Sequence, residues 1–267
     1  MIHYTQRVEA LMRDIVSRVE ALGDIDVAQV LVFGRPGRAD ADGPFATCHC
    51  LTLPTSAPGY YFWRDRATGT LTRRSEWFVT KSPEVRVGRR RIAYLVSVAL
   101  PRFVDQPLGG TPKAARYPGG PEWIARLDTI VHELYHIDPN ACGLRHAAAD
   151  DGRNRSHGAG FFDRVAGFVR EYLATRPDPA VYEFLRYDFD GLVARFGGVV
   201  ATTFRNYPSY PQRYEVALDT QPDAPDVRVV PVKRPSQPAV YTEADLCVRE
   251  FAREGTRRLT AAAALAA

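Results

Sequence analysis

The sequence predicts an α+β fold: an N-terminal helix, a small and mostly antiparallel sheet, two further packing helices and a C-terminal extension. Three observations carry this. Apolar residues recur at helical spacing from Thr5 to Leu22 and again from Pro121 to Ile137. Between them lies a series of short apolar runs separated by turn residues, the pattern of strands. A third helical row then extends from Phe161 to Ala174.

In the first helix Val8, Leu11, Met12, Ile15, Val19 and Leu22 form one stripe, and Gly23 supplies a stop. Val27 to Phe33 reads as a buried strand broken by Gly34-Arg35-Pro36-Gly37. Asp40 to Pro44 is turn-like, and Phe45 to Leu53 resumes as a strand containing Cys48-His49-Cys50. Strand alternation puts the two cysteines on one face and His49 on the other. No second cysteine pair is present to complete a metal site with them, so buried thiols are expected. Tyr60 to Trp63, Leu71 to Thr80, Val85 to Val87 and Arg91 to Leu100 continue the strand-rich half, with turns at Gly69 and Gly88. Arg73-Arg74 and Arg89-Arg90-Arg91 lie near strand ends, where charge shields sheet edges.

Pro101 to Gly120 is a loop leading into the second helix, and Ile137 to Ser156 a polar loop leading out of it. In the third helix Phe162, Val165, Ala166, Val169 and Leu173 are the expected packing face. A helical piece from Val181 through Phe196 and a strand from Val199 follow. Tyr207, Tyr210 and Tyr214 read as packing residues. Five prolines between Gln221 and Pro238 suggest an extended linker, and Thr242 with Asp245 a capping box opening a last helix with Leu246, Val248 and Phe251. The domain reading is therefore a main domain over residues 1–215, a Pro-rich linker over 216–240 and a short C-terminal helix over 241–267.

Composition is that of an ordinary globule: 267 residues, 45% hydrophobic and 25% charged. The net charge of +4 does not argue for nucleic acid. No apolar run approaches the ~18 residues of a membrane span. Arg7, Glu9, Arg13 and Asp14 interrupt any secretory leader. Four scattered cysteines do not make a disulfide scaffold, so a reducing cytoplasm is expected.

The chemistry concentrates in the second helix, at His132-Glu133-Leu134-Tyr135-His136. Histidines four apart lie one turn above each other, so both imidazoles can reach one zinc ion, and Glu133 projects beside it as a general base. Packing requires no such combination. Solvated surface histidines are the competing reading, opposed by the apolar flanks on both sides and by a third candidate ligand downstream.

Catalytic zinc has three protein ligands. His157, just ahead of the third helix, is the first choice for the third metal ligand; His146, on the intervening loop, is the alternative ligand or a substrate contact. Cys142 stands six residues after His136, but Pro139 occupies the place of the turn glycine that a metzincin needs. Glu171 lacks the usual Asn-containing context of a glutamate-type zincin.

The pattern VHELYH followed by HGAGFFDRV resembles the SprT/Spartan-like minimal zincins. In length and flanks the chain is closer to a phage-type metallopeptidase family. The similar stretches there are Asp24-Ile25-Asp26-Val27-Ala28-Gln29-Val30, His132 to Ile137, and Gly143-Leu144-Arg145-His146. The resemblance covers about Thr5 to Leu173. It implies a zincin-like fold and a zinc metallopeptidase acting on a protein or peptide. No Cys-x-x-Cys ribbon follows, so the DNA-repair role of Spartan-like proteins is not carried over. A non-catalytic, zinc-stabilised binding or scaffold protein is the alternative.

Overall fold

The first elements form where local propensity and burial agree. Helix α1 (Tyr4–Arg18) starts where the His3 ring accepts the Gln6 N–H, and a 3₁₀ turn (Glu20–Leu22) extends it. Val8, Leu11, Met12, Ile15, Val19 and Leu22 are all 0% exposed, as the stripe predicts. Each such side chain contributes about 1.5–3 kcal/mol of burial. The computed structural model describes residues 1–38, 42–51, 59–64, 67–140, 143–145, 147–148, 154–155, 157–206, 210–211, 214–218, 228–231 and 240–258.

A three-stranded sheet lies beneath α1. Its central strand, Tyr94–Pro101, is buried along its whole length. It pairs parallel with Val30–Gly37 and antiparallel with Ala46–Cys50. Val27–Gln29 is a 3₁₀ turn capped by Asp26 rather than part of the strand. The strand instead runs on through Gly34-Arg35-Pro36-Gly37, where the sequence predicted a break. Two physical reasons account for this. A Cβ at Gly34 would come within 2.9 Å of Ala201 and 3.0 Å of Phe251, so the glycine permits a neighbouring strand to approach. The Arg102 N–H bonds the Gly37 carbonyl. By alternation the nitrogen of Pro36 therefore faces the open edge, where a missing N–H breaks no ladder.

Alternation also divides the core. Val30, Val32, Ala46, Cys50, Tyr94, Val96 and Val98 face the helices, while Leu31, Phe33 and Leu95 pack with Phe204 and Tyr241 on the other side. Helices α2 (Ile124–Tyr135) and α3 (Phe161–Ala174) pack against each other, and α2 also meets α1 and the edge strand Ala46–Cys50. The Glu122 carboxylate, just ahead of α2, accepts the loop N–H groups of Leu108 and Gly109. In α3 the inward aromatic is Phe161; Phe162, expected in the packing face, stands 42% exposed.

The helical piece predicted over Val181 to Phe196 is divided into α4 (Pro179–Tyr182), a 3₁₀ turn and α5 (Phe189–Phe196). Asp178 and Asp188 each cap a new start. The capping box at Thr242 and Asp245 is present, but it opens one 3₁₀ turn and not a last helix. Leu246–Ala252 is a strand antiparallel to Val199–Phe204, closed into a hairpin with Gly255–Arg258. The remote partner strand outweighs the short helical spacing of Leu246, Val248 and Phe251. Within the predicted linker, Arg228–Pro231 pairs with Gly59–Arg64, itself paired with Leu71–Lys81; residues 221–227 and 232–239 lie outside the described residues.

Among the described residues the result is an α+β arrangement of five α-helices and several small sheets, in which antiparallel pairings predominate. Among the described residues no helix is long and apolar enough to cross a membrane.

Candidate metal centre

Helix α2 supplies His132 and His136 one turn apart, and the entry to α3 supplies His157. Gly160, in the left-handed region at φ 75°, turns the chain into that helix. The Nε2 atoms of the three rings form a triangle: 3.0 Å from His132 to His136, 3.2 Å from His157 to each. They gather as one ligand set. The first-choice trio is therefore the set that the fold brings together.

The donor chemistry fits a small cation. Nitrogens bound at 2.0–2.1 Å to a tetrahedral zinc stand about 3.3 Å apart, within a few tenths of an ångström of the triangle. One proton bridges only two nitrogens along a straight line, whereas a cation against all three uses every lone pair. Burial, aided by His136, His157 and the Lys113 ammonium, lowers the His132 pKa to about 3, and burial lowers that of His157. Both shifts favour the neutral ring, which keeps its lone pair, over the cation. Phe161 forms the floor, its ring centroid 4.8–5.0 Å from those of all three histidines.

Glu133 is 5% exposed and turned toward the edge strand. Phe45 and Leu51 bond with the central strand through the Ala99 N–H and the Ala93 carbonyl. In that register the N–H of Cys48 points outward, and it bonds the Glu133 carboxylate. Burial raises the Glu133 pKa to about 8, against the pull of Lys113, Arg35 and this hydrogen bond. A divalent cation held by the histidines would add another positive charge favouring the ionised form.

One turn earlier on α2 a polar network supports the helix. Lys113 pairs with Asp128 at 2.6 Å and donates to the Thr129 hydroxyl and the Ala125 carbonyl. The Tyr117 hydroxyl donates to Asp128 at 2.7 Å. The sequence reading missed this group. Its available signal was Asp128 itself, an acid one turn ahead of His132 on the same helix.

At the other end of α2, Arg145 closes the helix. Its N–H donates to the His136 carbonyl at 2.7 Å, its side chain to the Tyr135 and Ile137 carbonyls, and its guanidinium lies 4.7 Å from the Tyr135 ring centre. A cation here opposes the negative end of the helix dipole and fixes the backbone that carries His136. Arg145→Ala is expected to weaken zinc binding about tenfold, as supporting groups around ligands do. Competition against a chromophoric chelator measures this, and an unchanged affinity would assign Arg145 to loop packing alone.

His146, the alternative ligand, lies outside the described residues, as does Cys142. Glu171 is elsewhere: its carboxylate accepts the Glu20 N–H at the far end of α3. Tyr210 packs on Phe33 and His49 on the opposite face of the sheet, while Tyr207 is outside the described residues. Cys50 is buried, and burial pushes the Cys48 thiol well up, so neither is poised as a nucleophile. Arg90 contacts Glu9 at 3.5 Å. No family model, no curated protein and no solved structure matches this chain.

Proposed function

We propose that the protein is a zinc-dependent, metallopeptidase-like hydrolase that cleaves an amide or peptide bond. The observation that carries this reading is the triangle of three imidazole nitrogens, two of them on the helix that also carries the buried Glu133 carboxylate. Zinc, when bound, supplies Lewis acidity toward a carbonyl and makes water more acidic. His132, His136 and His157 are the residues that would hold it. Glu133 takes a proton from the attacking water onto a carboxylate oxygen and delivers it to the departing nitrogen. The Cys48 N–H keeps that carboxylate against the edge strand. The Phe161 floor and the apolar flanks of α2 exclude bulk water from one side.

The helix-on-mixed-sheet arrangement, with its antiparallel edge strand beside α2, supports a zincin-like fold. It agrees with the resemblance to SprT-like and phage-type metallopeptidases. The alternative is a zinc-stabilised binding or scaffold protein, which a fourth protein ligand closing the open position would favour.

Metal removal tests the reading. Hydrolysis of fluorescently labelled casein or of a fluorogenic peptide library is expected to vanish with 1,10-phenanthroline and to return with added zinc. Hydrolysis that persists in the chelator would contradict a metal-dependent mechanism.

A further inference from the structure

On α3 the Phe162 ring is left exposed, at 42%. Its neighbour Phe161 already fills the inward position under the histidines, so Phe162 is not needed for that packing. Its ring centre nevertheless stands 5.1 Å from that of His157 and 5.7 Å from that of His132, tilted 36° and 32° to them. It meets Phe161 edge-on at 5.6 Å. The Arg116 guanidinium lies 5.5 Å from its ring centre and is held in turn by Asp163 at 2.8 Å and the Pro112 carbonyl at 3.2 Å. Phe162 is therefore fixed from two sides and open on the rest, directly beside the ligand set.

Covering an exposed apolar ring with a second apolar group is favourable, because it removes both surfaces from water. At the rim of a hydrolytic site the group that arrives there is a substrate side chain. Phenyl rings pack edge-to-face or offset on such a ring with a gain beyond simple area burial. Arg116 is already engaged by Asp163, which favours an apolar partner over an acidic one.

We infer that Phe162, braced by Arg116, is a specificity-determining subsite that takes an aromatic side chain next to the cleaved bond. The inference rests on the zinc-hydrolase reading. It makes the preferred substrates peptides with Phe, Tyr or Trp at that position.

Two small zinc-directed probes test it by calorimetry on zinc-loaded protein, without any turnover. Acetohydroxamate reads the metal alone; phenylacetohydroxamate adds the aromatic ring. Wild type is expected to bind the phenyl probe about tenfold more tightly. In Phe162→Ala the preference should fall below about threefold while zinc content and acetohydroxamate affinity stay unchanged. Phe162→Leu, which keeps an apolar side chain on α3, should lie between the two and guards against a folding defect in the alanine variant. An undiminished phenyl preference in both variants, or none in wild type, would overturn the subsite. So would a Phe162→Ala protein with weakened zinc and acetohydroxamate binding but an intact preference, which would make Phe162 a water-excluding cover. If acetohydroxamate fails to bind zinc-loaded wild type, the open metal site falls first and the subsite with it.

Discussion

Glu133→Gln is expected to keep one zinc per chain and to lose hydrolysis by a factor on the order of 10³, within the range of general acid–base catalysis. The substitution is nearly isosteric, and the glutamine carbonyl can still accept the Cys48 N–H, so the buried position should keep its packing. What disappears is the basic oxygen that takes and returns the proton. Parallel measurement of zinc content and peptide turnover separates the two roles. A variant that turns over as fast as wild type would remove Glu133 from the chemistry. One that loses its metal as well would make Glu133 a support of the ligand set.

The second large effect concerns the ligands. His157→Ala and His132→Ala each delete one corner of the nitrogen triangle, and each should lower zinc affinity by at least about 100-fold, beyond the 10–100-fold effects of supporting groups. His157 is exposed and stands ahead of α3, so its loss should leave the secondary structure intact. Circular dichroism together with chelator competition distinguishes a lost ligand from a lost fold. Zinc affinity unchanged in His157→Ala would transfer the third position to another residue, with His146 the sequence-based alternative.

The helices were legible because burial follows a local period. The α1 stripe and the rows of α2 and α3 need only their own sequence to be seen, and the H-E-x-x-H spacing belongs to the same local code. The elements that differed depend on distant partners. Gly34 to Gly37 carries a local break signal, yet the strand continues, because Ala201 and Phe251 approach Gly34, which has no side chain to obstruct them, and the Pro36 nitrogen faces away from the ladder. Leu246 to Ala252 becomes a strand because Val199–Phe204 offers it an edge. In α3 the order of Phe161 and Phe162 was reversed: helical periodicity tolerates either, and only the position of the histidine rings selects Phe161 as the floor. The same limit applies to the site. His157 followed from ligand chemistry, whereas Lys113 with Asp128 and the outward N–H of Cys48 emerge only from sheet register and tertiary packing.

Zinc content of purified wild-type protein, after reconstitution and removal of excess metal, tests the central claim most directly. The geometry predicts about one zinc per chain. No bound zinc under those conditions would contradict the metal centre and, with it, the hydrolase reading.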